Sequence, residues 1–70
     1  MFQLRYDVIF PDNTRKTLKF NTGSAFIFAF EENKLDHENL DITDVTYFGK
    51  IVNCTNTYQL YSWLLDQLAA

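Results

Sequence analysis

The chain reads as an α+β protein: a two-layer sandwich of β-β-α-β-α order, in which a three-stranded antiparallel sheet of order 2-1-3 carries two helices on one face. Three observations predict this. Residues 2–10, FQLRYDVIF, alternate strictly, with Phe2, Leu4, Tyr6, Val8 and Phe10 on one side and Gln3, Arg5, Asp7 and Ile9 on the other. That is the period-2 pattern of a half-buried strand. Pro11-Asp12-Asn13-Thr14 supplies a turn directly after it. Asn56-Thr57-Tyr58-Gln59 then has the form of a capping box at the head of a helical segment.

The elements follow in order. Residues 14–20 form a second, more polar strand, with Leu18 and Phe20 inward and Arg15, Thr17 and Lys19 outward. Thr22 or Ser24 caps a helix of about residues 24–34, in which Phe26 and Phe30 stack one turn apart. Residues 25–30 also alternate as a buried strand would. Their two alanines, the Glu-Glu-Asn-Lys tail and the need for a crossover after a hairpin favour helix. Residues 35–41 read as loop. Residues 42–52 read as one third strand rich in β-branched and aromatic side chains, with a bulge near Gly49. The last helix, about residues 57–68, places Tyr58, Tyr61, Leu65 and Leu68 on its apolar stripe, with Leu64 beside them. A right-handed crossover sets the third strand beside the first.

Composition bounds the function. Seventy residues, 47% hydrophobic and 21% charged, make one small domain spanning 1–70. Seven Phe, four Tyr and one Trp supply a dense core in a chain that one Cys cannot staple. The longest apolar run, residues 25–30, is far short of the ~20 residues that cross a bilayer. The first residues carry none of the features of a signal peptide, so a cytoplasmic home with Cys54 reduced is expected, and no membrane partner.

Catalytic signatures are sparse. There is no Gly-rich phosphate loop, and a Cys54–His37 pair has no cation nearby in sequence to lower the thiol pKa. Asp36, His37, Glu38 and Asp41 offer ligand types in a loop but at no metal spacing. No enzyme, cofactor or metal is expected.

Charge is unevenly spread over a net −3. The first hairpin is basic, with Arg5, Arg15, Lys16 and Lys19, whereas Glu31, Glu32, Asp36, Glu38, Asp41 and Asp44 make the middle acidic. Those six carboxylates, with Phe28 and Trp63 as aromatic anchors off the core stripes, predict contact with another protein or with a second copy of the chain. The expected function is that of a small stoichiometric regulator or inhibitor. In type, with no residue matched to a family, the chain resembles the short, acidic, aromatic-rich inhibitors of phages and other mobile elements. The alternative is a nucleic-acid-binding accessory protein. It would use Arg5, Arg15 and Lys19 on the exposed sheet face with Lys16 near the turn, but without the stacking aromatics that such a face normally adds.

Overall fold

Leu4, Tyr6 and Val8 are fully buried and alternate with more exposed residues, so the period-2 reading of the first strand holds in β1 (Leu4–Ile9). The computed structural model describes residues 2–69. The first turn closes with Phe10 donating to Thr14 O (2.9 Å) and Asn13 donating to Phe10 O (2.8 Å). Asn13 adopts φ 69°, a left-handed conformation that asparagine tolerates well. Asp12 Oδ1 accepts from both Thr14 N and Thr14 Oγ1, fixing the bend. β2 (Arg15–Phe20) returns antiparallel, with Leu4 opposite Phe20, Arg5 opposite Lys19 and Ile9 opposite Arg15.

α1 (Gly23–Glu31) is helix, settling the ambiguity of residues 25–30. Thr22 caps it, its side chain accepting from Ala25 N at 3.0 Å. Gly23 is buried where the helix start meets its neighbours: an added Cβ would lie 3.2 Å from both Leu64 Cδ2 and Tyr47 Cε1. The helix ends earlier than expected. Asn33 at φ 56° and a bond from Lys34 N to Ala29 O (2.8 Å) form a left-handed cap there.

The sheet has four strands rather than three, in the order β2-β1-β3-β4. The stretch read as one strand is a hairpin of β3 (Asp41–Tyr47) and β4 (Lys50–Ile51). Phe48 (φ 52°) and Gly49 (φ 77°) are its two turn residues. Paired positive φ values match the turn whose twist suits a two-residue hairpin. The irregularity lies elsewhere, opposite Tyr6, where the β1–β3 register slips between Arg5 and Asp7. Asp44 takes φ 53° there, and inward residues run Ile42, Val45 rather than every second position. β2 lies at one edge of the sheet, and among the described residues its outer edge pairs with no strand.

α2 (Thr57–Ala69) starts at its expected cap, with Gln59 N donating to Asn56 Oδ1 at 2.8 Å. Gln59 Oε1 reaches back to Thr55 N (2.9 Å), one residue before the position a capping box specifies. Its buried residues are Thr57, Leu60 and Leu64. The expected stripe is therefore displaced: Tyr58, Leu65 and Leu68 are exposed. The core gathers Leu4, Tyr6, Val8, Phe26, Ile42, Val45, Val52, Cys54, Leu60 and Leu64 between sheet and helices. Phe2, expected inward, is exposed because it precedes β1 and is not held by the sheet register.

Candidate functional site

Register decides which charges share a surface. Arg5, Asp7 and Ile9 of β1 lie opposite Lys19, Thr17 and Arg15 of β2, and opposite Thr46, Thr43 and Asp41 of β3. Because opposed residues share a face, these side chains form the side of the sheet away from the helices. Arg15 there pairs with Asp44, Nη1 to Oδ2 at 3.4 Å, and Thr17 Oγ1 donates to Asp7 Oδ1 at 2.7 Å. Both side chains of the Arg15–Asp44 pair are more than half exposed, so the pair adds little stability but does cancel charge locally. Lys16, expected near the turn beside that face, lies opposite Val8 and so belongs to the helix side.

The six carboxylates are likewise not one row. Asp41 and Asp44 sit on the outer sheet face with the basic residues. Glu31 closes α1 and accepts from Tyr61 Oη at 2.6 Å, and Glu32 is the α1 C-cap. Asp36 lies in the loop, and Glu38 contributes its backbone carbonyl to Thr57 Oγ1 (2.9 Å). The acidic segment of the sequence thus divides between the two layers.

His37 is buried in that loop and uses both ring nitrogens. Nε2 meets Tyr6 Oη at 2.6 Å, and Nδ1 meets Asp36 Oδ1 at 3.2 Å. With the ring proton on Nδ1, Tyr6 donates to His37 and His37 to Asp36, so each polar atom is matched. Burial, with the Asp36 charge adding to it, pushes the Tyr6 hydroxyl pKa well above the usual tyrosine range. The hydrogen bond from His37 leads the effects that hold the Asp36 carboxyl below its ordinary value. Tyr6 is completely buried and the His37 side chain nearly so, so this chain of three ties the loop to the sheet, with only the Asp36 carboxylate standing in solvent. It also leaves no ring nitrogen of His37 for Cys54. Cys54 is itself buried, and desolvation raises its thiol pKa. Among the described residues no group of three or more His, Cys, Asp and Glu side chains is placed to hold a metal ion. No helix there is long and apolar enough to cross a membrane.

The aromatic candidates separate. Phe28 is exposed on α1, with Lys34 Nζ 5.2 Å from its ring centre. Trp63 is half-buried and packs edge-on against Tyr47, ring centres 5.5 Å apart, inside a cleft shared with Phe48, Lys50 and Gln67. The surface that the sequence reading missed is on α2. Tyr58 (53% exposed), Leu65 (40%) and Leu68 (48%) line its outer side, next to the ring of Tyr61, which stacks on Phe30 at 4.3 Å. Their spacing had been visible, but Leu60 and Leu64 offered a second apolar face, and packing chose that one. Comparison with protein-family models, with curated proteins and with solved structures found no match for this chain.

Proposed function

We propose that the chain is a stoichiometric protein-binding regulator whose contact surface is the outer side of the helical layer. The observation that supports this reading is the second apolar face of α2. A helix in a small domain ordinarily turns one apolar stripe inward and a polar side outward, whereas Tyr58, edge-on to Phe30, and Leu65 and Leu68 remain about half exposed here. Exposed aromatic and leucine side chains on a rigid helix are the material of an interface centre. Glu31, held by Tyr61, and Glu32 and Asp66 border this side with negative charge. Phe28 adds a further exposed ring on α1. The partner that fits is a protein offering an apolar groove rimmed by Lys or Arg. Among the expected contacts, Glu31, Glu32 and Phe28 belong to this surface, whereas Asp41 and Asp44 lie on the other side of the sheet.

The test is affinity capture from host lysate with the wild-type chain and with a Tyr58→Asp/Leu65→Asp variant of unchanged melting temperature. One protein retained at equimolar ratio by the wild type and lost by the variant is the expected result. Equal recovery by both would overturn the assignment of the surface. If the partner is a second copy, light scattering will give twice the monomer mass for the wild type and the monomer mass for the variant.

A further inference from the structure

The Phe2–Phe48 end of the sheet gathers what the sequence reading found missing from a nucleic-acid surface. Across the outer sheet face, one row of aligned residues runs Lys19, Arg5, Thr46, Ile51, one from each of the four strands. Two aromatic rings border this row. Phe2 is 51% exposed and Phe48 is 61% exposed, and together with Gln3 and Gly49 they line one concavity of about 320 Å³. Phe48 N donates to Gln3 O at 2.8 Å, tying the β3–β4 turn to the segment that enters β1. Lys19 Nζ sits 5.6 Å from the centre of the Phe2 ring. Lys50, opposite Tyr47, belongs to the helix side and lies with Trp63 and Gln67 in the neighbouring cleft that Phe48 also borders.

Two further facts set this end apart. Among the described residues, Arg5, Lys19 and Lys50 make no ion pair, whereas Arg15 at the far end is matched by Asp44. The carboxylates of the outer face also lie beyond the row: Asp7 is bonded to Thr17, Asp44 faces Arg15, and Asp41 lies opposite Ile9. Phe48 moreover holds a left-handed backbone in which a bulky side chain is uncommon. A turn chosen for stability alone would place Asn or Gly there. A strained, exposed aromatic at a hairpin tip is a feature that ligand contact explains.

We propose that Phe2 and Phe48 form an aromatic clamp for an unpaired nucleobase, with Lys19 and Arg5 receiving the flanking phosphates of a single-stranded nucleic acid. Stacking requires accessible π-faces, which paired bases do not offer, so single strands are taken in preference to duplex. Phosphates match unpaired cations, and the Gln3 amide beside the rings can donate to and accept from a base edge. The site keeps Arg5 and Lys19 of the hairpin reading, drops Arg15 and Lys16, and adds Phe2 and Phe48.

The experiment is fluorescence anisotropy of a labelled oligothymidylate titrated with the whole chain at low salt. Two phosphate contacts predict a slope of log K on log salt of about −1.4. Phe48→Ala and Phe2→Ala should each weaken binding by about 5- to 150-fold, the span seen on removing one stacked aromatic. Arg5→Glu/Lys19→Glu should abolish it, and Arg15→Glu should weaken it far less, because Arg15 is already matched by Asp44 and lies four positions along β2 from Lys19. Melting curves confirm that each variant is folded. Absence of binding at low salt would overturn the proposal. So would equal affinity for the matching duplex, or unchanged affinity in both phenylalanine variants. Displacement by oligoglutamate as effective as by oligothymidylate would reassign the site to an acidic peptide.

Discussion

Leu64 and Leu65 are neighbours in sequence with opposite fates, and they make the sharpest test at the scale of single residues. Leu64 is completely buried and touches the start of α1, so Leu64→Ala should cost about 2–5 kcal/mol. That is enough to unfold much of a domain with roughly 5 kcal/mol to lose. Leu65→Ala removes a side chain 40% exposed and should cost under about 1 kcal/mol. Urea midpoints of the two variants read the difference directly, and a reversed order would mean that α2 is rotated from its described position. The hydrogen bond between Tyr6 and His37 gives a second test. Tyr6→Phe leaves His37 without its donor and should cost about 1–3 kcal/mol near neutral pH. The folded pKa of Tyr6 is raised, so its contribution is complete below the unfolded tyrosine value of about 10 and is lost as pH rises beyond it. Unfolding midpoints measured at about pH 9 and about pH 11 should show the Tyr6→Phe penalty shrinking with rising pH. The alternation of residues 2–10 placed Tyr6 inward, but nothing local joined it to His37, 31 positions away. A contact of that range is set by how the loop folds back, and single-sequence periodicity does not carry it.

The hairpin of β3 and β4 shows at the scale of elements why one strand was read where two exist. Phe48-Gly49 lacks the Asn-Gly or Asp-Gly that marks a tight turn, and Val45, Thr46, Tyr47, Ile51 and Val52 on either side are strand formers. Glycine alone signalled a bulge. The N-terminal hairpin was legible because Pro11, Asp12 and Asn13 each have a separate reason to bend the chain. α1 was legible only in part: Thr22 announced its start, but Asn33 is a weaker stop signal than glycine, so the end of the helix was drawn three residues too late. The strain at Phe48 makes a prediction of opposed signs. Phe48→Asn should raise stability by about 0.5–1 kcal/mol through relief of the left-handed backbone, while weakening oligonucleotide binding. A thermal melt and an anisotropy titration on the same variant test both halves. A variant that loses stability and keeps its affinity contradicts both.

Considered as a whole, the molecule builds its two proposed surfaces on different elements, one on Tyr58, Leu65 and Leu68 of α2 and the other at the Phe2–Phe48 end of the sheet, and they approach only where Trp63 and Gln67 of α2 share a cleft with Phe48. Substitutions in distant, unshared sites combine additively. Leu65→Asp should therefore leave oligonucleotide affinity unchanged, and Phe48→Ala should leave protein capture unchanged, with the double variant losing both. Coupling between them, read as a non-additive double-mutant cycle, would show that the surfaces are not independent. The α+β class, the 2-1-3 core of the sheet and the cap of α2 were all written in local pattern. The division of the acidic segment between two layers was not, because it depends on a loop whose anchors, His37 and Thr57, act across the fold. The exposed edge of β2 has a consequence for the handling of the protein. Its backbone is a ready template for another strand, and Arg15, Lys16 and Lys19 are the repelling charges that keep two such edges apart. Acetylating those lysines, or screening them with polyanions, should therefore convert a soluble preparation into one that forms fibres.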